Sequence, residues 1–121
     1  MGNPLQIGRE AMTTFTDPPT YDPVLTGDEP FTSDWTLGNS GDLPGQVTLK
    51  VIMNRLDTQI FFEFTRLISV NAGGGIFDFD ILWEDLMNEG IGRGRYSLRF
   101  LVLDQNENPI GQTFSGEVLI N

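Results

Sequence analysis

A chain of 121 residues has room for one ordinary domain and not for two. Seventeen acidic residues against seven basic ones give a net charge of −10, which argues against nucleic acid, whose phosphates need a positive footprint, and against anionic membrane surfaces. The absence of Cys and His excludes disulfides, zinc centres of the Cys/His type, cysteine nucleophiles and any Ser-His-Asp triad.

Residues 1–30 hold five of the seven prolines: Pro4, Pro18, Pro19, Pro23 and Pro30. Proline fixes φ and removes a backbone donor, so regular helix and central strand are both blocked there. Apolar side chains are scattered through the stretch, at Leu5, Ile7, Met12, Phe15, Tyr21, Val24 and Leu25. A free tail has little use for them. The expectation is an extended arm over 1–30, making few contacts with its own domain and docking on a neighbouring chain through Phe15, Tyr21, Val24 and Leu25. The domain itself would span 31–121, with a core drawn mostly from 46–121.

Residues 31–37 read as a strand with Phe31, Ser33, Trp35 and Leu37 on one face. The cluster at 38–45 is a turn. From Gln46 to Asn54 the residues Val47, Leu49, Val51 and Met53 alternate with more polar ones, the pattern of a half-buried strand. Asp57 and Thr58 form a tight connection to a strand over 59–70 that carries Phe62 and Phe64. These two segments are the strongest hairpin candidate. Three glycines, Gly73 to Gly75, make a loop. A short strand follows with Phe77, Phe79 and Ile81 on one face and Asp78 and Asp80 on the other. Residues 82–89 suit a short helix capped by Asp80 and ended by Gly90, with Leu82, Trp83, Leu86 and Met87 on its apolar side. Arg95 to Leu103 is a strand with Tyr96, Leu98, Phe100 and Val102 inward, and residues 104–109 are a turn rich in Asp and Asn. A last strand over 110–120 puts Phe114, Val118 and Ile120 together. Six or seven short strands separated by turn signals describe an antiparallel β-sandwich.

One segment carries a resemblance. Trp83, Asp85, Gly90, Gly94, Tyr96, Asp104, Asn106, Asn108 and Gly111 stand in the order of a recurring closing module of immunoglobulin-like domains: an aromatic strand, Trp with an acidic pair, a glycine turn, G-x-Y, an alternating strand, Asp and an Asn-rich turn. The stretch 77–111 is similar to the immunoglobulin-like domain of flagellar hook-capping proteins and to intracellular serine-protease inhibitors of bacilli. It covers about a third of the chain and its motifs are generic. The Cys…Trp…Cys spacing of antibody domains is missing. The resemblance implies an immunoglobulin-like sandwich and says little of function.

Chemistry-bearing patterns are few. Asp104, Asn106 and Asn108 begin like a calcium loop, but Pro109 stands where that loop needs glycine and Ser115 where it needs glutamate. The carboxylates Asp78, Asp80, Glu84, Asp85 and Glu89 could hold a hard cation or run glycoside hydrolysis; solvated outward residues are the simpler account. The glycine-rich segments at 72–75 and 90–94 lack the Lys-Ser or Lys-Thr close of a phosphate loop. Arg93, Arg95 and Arg99 form a basic face that would pair with acidic neighbours across strands or receive an acidic partner segment.

These readings point to a non-catalytic structural protein that binds other subunits, of the same or a different chain, such as a virion cement or decoration protein or a filament subunit. The alternative is an immunoglobulin-like ligand-binding or protease-inhibitor module with recognition on its loops. No cofactor and no metal are expected. The first residues lack the basic and apolar regions of a signal peptide, no apolar run is long enough for a membrane helix, and a virion or cytoplasmic setting is favoured.

Overall fold

A computed structural model describes residues 11–26, 28–58 and 60–121. It is an all-β sandwich of two sheets with one short helix. Three two-residue strands come first: β1 (Thr13–Thr14), β2 (Thr20–Tyr21) and β3 (Val24–Leu25). Six long strands follow: β4 (Phe31–Asn39), β5 (Gly45–Arg55), β6 (Phe61–Val70), β7 (Gly75–Ile81), β8 (Gly94–Leu103) and β9 (Phe114–Ile120). The helix α1 (Trp83–Asn88) lies between β7 and β8. In the four-stranded sheet β4 is central, with β7 on one side and both β1 and β2 on the other. The five-stranded sheet runs β3-β9-β8-β5-β6, antiparallel throughout except that β3 lies parallel to β9.

Period-two alternation decides which side chains meet. On β4 the odd residues Phe31, Ser33, Trp35 and Leu37 are buried, and the register sets them against Ile81, Phe79, Phe77 and Gly75 of β7. On the facing sheet Val47, Leu49, Val51 and Met53 lie beside Val102, Phe100 and Leu98. Trp35 is the hub. Its ring stacks on Phe15 at 5.3 Å and meets Phe100 edge-on at 5.6 Å, both favoured aromatic geometries. Its indole N–H donates to Ser33 Oγ at 2.8 Å, and that hydroxyl donates onward to the Phe79 carbonyl. The one buried polar pair in the centre is thereby satisfied.

Glycine conformation ends the helix. Gly90 sits at φ 87° and donates to the Met87 carbonyl, while Ile91 N–H reaches the Leu86 carbonyl at 2.9 Å. Leu86 and Ile91 are both buried, so the cap also plants the helix on the core, the pattern of a Schellman motif. The N-terminal cap differs from expectation. Leu82 occupies that position with no side-chain bond, because Asp80 is held in β7 opposite Thr32. Leu82 and Met87 are exposed, so Leu86 alone anchors the helix, with Trp83 half-buried beside it. At the start of β8 the Tyr96 hydroxyl donates to the Gly92 carbonyl at 2.7 Å and accepts from Arg55 at 3.2 Å. A tyrosine tied to backbone just upstream is the corner device of immunoglobulin-like sandwiches.

The separation of an arm from a domain does not hold for the described part of 1–30. Residues 13–25 supply three strands to the two sheets, and Phe15 and Leu25 lie in the core. The core therefore draws on 11–40 as well as on 46–121. The expected strand over 110–120 is also shorter than read, starting at Phe114. Leu5 and Ile7 lie outside the described residues.

Candidate functional site

Of the four side chains read as partner anchors, Phe15, Tyr21 and Leu25 pack on their own domain and Val24 does not. Phe15 is fully buried, stacked on Trp35 and edge-on to Phe114 at 5.0 Å. Gly111, at φ 68°, makes room for it; any Cβ there would strike the Phe15 carbonyl. Tyr21 lies between the rings of Phe31 and Phe100. Its hydroxyl donates to the Glu117 carbonyl at 3.1 Å and accepts from Glu117 N–H at 3.0 Å, over Gly116, where a side chain would collide with it. Leu25 is buried and Val24 exposed, while Leu119 N–H and Asn121 N–H donate to the Pro23 and Leu25 carbonyls. Proline spacing did block long strands here, but the edges of β4 and β9 accept two-residue pairings between prolines. Each large side chain buried this way contributes about 1.5–3 kcal/mol. The groove expected on a neighbour is supplied by this same domain.

The three arginines separate. Arg93 lies over the Trp83 ring at 5.6 Å, a cation–π contact at the helix end of the sandwich. Arg95 and Arg99 stand on the outer face of β8, opposite Leu119 and Ser115 of β9. Lys50 joins them from β5, where Ile52 is the register neighbour of Arg99. Two acids temper this face. Glu63 pairs with Lys50 at 3.4 Å and Glu117 with Arg95 at 3.6 Å. Such exposed pairs are screened by solvent and fix little. The result is a sheet face with Lys50, Arg95 and Arg99 against Glu63 and Glu117, a local cationic excess in a strongly acidic chain. Exposed apolar residues border it: Phe61 is 61% exposed and Leu67 66%.

The opposite face is acidic. Asp34 of β4 lies in register with Asp78 of β7, and Asp80 is two residues further along. A hydrogen bond to Asp78, then slight burial, then the charges of Asp78 and Asp80, hold the Asp34 carboxyl above its ordinary value. Asp34 was missed in reading the carboxylate group; the signal available was the β4 alternation, which turns Thr32, Asp34 and Thr36 outward while the aromatic residues point in. Glu84 and Asp85 sit instead in the first turn of α1. Among the described residues no group of three His, Cys, Asp or Glu is arranged to hold a metal ion. In the 104–109 turn, Asp104 Oδ1 accepts from the backbone N–H of Asn106 at 2.8 Å and of Asn108 at 2.9 Å. That oxygen stabilises a turn, as the hairpin reading requires. An open groove of about 490 Å³ lies beside this turn, between Ala11, Leu43, Pro44 and Gln105.

No family model and no curated protein matches the chain. Solved structures do. A β-glucosidase from Listeria innocua with bound glucose is similar over 93% of this chain and 16% of its own, at 16% identity and a TM-score of 0.57. A β-glucosidase from Erythrobacter marinus is similar over 92% of this chain and 16% of its own, at 12% identity and a TM-score of 0.63. A Pseudomonas fluorescens alkylpurine DNA glycosylase, bound to DNA with an abasic-site analogue, is similar over 90% of this chain and 30% of its own, at 16% identity and a TM-score of 0.56. This chain thus spans a sixth to under a third of the length of these three proteins. At these identities the likeness is one of fold, a two-sheet β-sandwich that larger proteins contain as one part.

Proposed function

We propose that this domain is a non-catalytic protein-binding module that serves in an assembly, joining other subunits as a cement protein or filament subunit would. The observation that carries the reading is the outer face of the five-stranded sheet, where Lys50, Arg95 and Arg99 project from a chain of net charge −10. Cationic groups flanked by exposed apolar residues suit an acidic protein surface, since complementary charge guides encounter and apolar contact holds the complex. The partner surface is this sheet rather than the N-terminal segment, whose Phe15, Tyr21 and Leu25 are already engaged within the domain. The fold's occurrence as a fraction of larger proteins supports a modular role.

The test is a photo-crosslinking amino acid placed at Arg99 or, on the opposite sheet, at Thr36, in cells of the source organism. Protein adducts are expected from position 99, and Arg95→Glu should diminish them strongly. Equal adducts from both positions, or from neither, would overturn the reading. So would a hydrolytic activity that survives repurification and disappears in Asp78→Asn.

A further inference from the structure

Among the described residues the strand edges of the sandwich differ in how they are protected. The β1, β2 and β3 edges are two residues long, too short to template another strand. The outer edge of β7 is seven residues long but carries Asp78 and Asp80, so a second β7 laid against it would bring carboxylates together. Short edges and edge charge are the ordinary devices against unwanted pairing. The outer edge of β6 is long and its charges balance. It is ten residues long, in continuous register with β5 without a bulge, and free of proline. It carries one acid, Glu63, and one base, Arg66.

The hydrogen-bonding side of each residue follows from the ladder. Arg55 N–H donates to the Ile60 carbonyl, so the even residues of β6 turn their backbone groups toward β5. Phe61, Glu63, Thr65, Leu67 and Ser69 therefore turn N–H and C=O away from β5, to the side where no described strand lies. The same residues place their side chains on the sheet's outer face, which is why Phe61 and Leu67 are so exposed.

We propose that β6 pairs antiparallel with β6 of a second copy, giving a two-fold dimer with one continuous ten-stranded sheet. The inference rests on the protein-binding reading and names its partner. Charge selects the register. A two-fold axis at Glu63 opposes two carboxylates and one at Arg66 opposes two guanidinium groups, and like charges directly opposite destabilise a pair. An axis at Thr65 sets Leu67 against Glu63. An axis at Phe64 sets Phe61 against Leu67 of the second copy twice over, covering the two most exposed apolar side chains of the strand, and sets Arg66 against Phe62. The Phe64 axis is the register assigned. It also joins the copies along their less acidic sheet and keeps the Asp34, Asp78 and Asp80 faces apart, which matters for two bodies each carrying −10.

Sedimentation equilibrium over a wide concentration range tests this. The wild-type chain is expected to dimerise, and Leu67→Lys to raise the dissociation constant at least tenfold with the melting temperature of the domain preserved. Thr65→Pro removes an outward N–H without touching the β5 ladder and is expected to abolish the dimer; if it fails to fold, Leu67→Lys decides. The chain has no cysteine of its own, so the double variant Phe61→Cys with Leu67→Cys reports register. Across a hydrogen-bonded antiparallel pair the Cα atoms stand about 5.5 Å apart, within disulfide reach, whereas within one strand the two positions are six residues apart and cannot bridge. Covalent dimers on mild oxidation are expected. A monomeric wild-type chain, a dimer indifferent to Leu67→Lys, or a double variant that never cross-links would each overturn the self-pairing. None of these bears on the crosslink at position 99, which reports the wider binding reading independently.

Discussion

Phe100 touches more of the core's aromatic cluster than its sequence setting suggests. Its ring lies 5.6 Å from Trp35 and 5.4 Å from Tyr21, so it joins the two sheets to the N-terminal segment. Phe100→Ala is expected to cost about 3–5 kcal/mol, read as a lowered urea midpoint with little change in slope. Asn39 shows how one polar residue can organise a whole end of the sandwich. Its Oδ1 accepts from Met12 and Gly41 N–H, and its Nδ2 donates to the Leu43 and Val70 carbonyls, so an aspartate there would lose both donated bonds. Asp34 gives a pH signature. Its folded carboxyl keeps its proton to higher pH than the 3.8 of an unperturbed group, so the folded state binds more protons than the unfolded one between those two values. Stability from this group falls as pH rises through that window and stays lower above it. Asp34→Asn is therefore expected to raise the urea midpoint at neutral pH, with the gain shrinking to nothing as pH falls below 3.8.

The strands differ in how plainly they announce themselves. β4, β5 and β8 alternate without interruption, and their buried faces match the periodicity residue for residue. β6 was readable as a strand, but its edge position was not: Phe62 and Phe64 are only partly buried because no described strand lies beyond them. The segment from 11 to 26 was the least legible. Two-residue strands carry no period, and prolines correctly signal the absence of long ones while concealing that Phe15, Tyr21 and Leu25 fill pockets in the same domain. Glycines at 111 and 116 held the missing information, as positions kept bare for Phe15 and Tyr21, but nothing local to them names the residue they serve. The carboxylate face was half legible for the same reason, since Asp34 and Asp78 meet through strand pairing across the sheet. The element-scale prediction follows: removing residues 1–26 should unfold the domain. It strips Phe15 and Leu25 from the core and uncovers β9 and β4, and circular dichroism should show loss of a cooperative melt. A truncated chain that melts normally would mean that the three short strands are dispensable.

At the scale of the whole molecule, the two sheets present faces of opposite character. Asp34, Asp78 and Asp80 stand on one; Lys50, Arg95 and Arg99 dominate the other. A body polarised in this way orients in the field of an acidic partner before contact, and its encounter rate with such a partner falls as salt is added. The path of the chain adds something else. Ala11 lies beside Gly45 at one pole, while Leu25 and Ile120 pair next to Gly94 at the other. β3 and the last strand, β9, run side by side in the same direction, so tension carried between these two strands acts along them and loads the β3–β9 bonds together instead of opening them one at a time. Force passing between β3 and β9 is therefore expected to meet shear of this short ladder, a stiffer response than peeling it open.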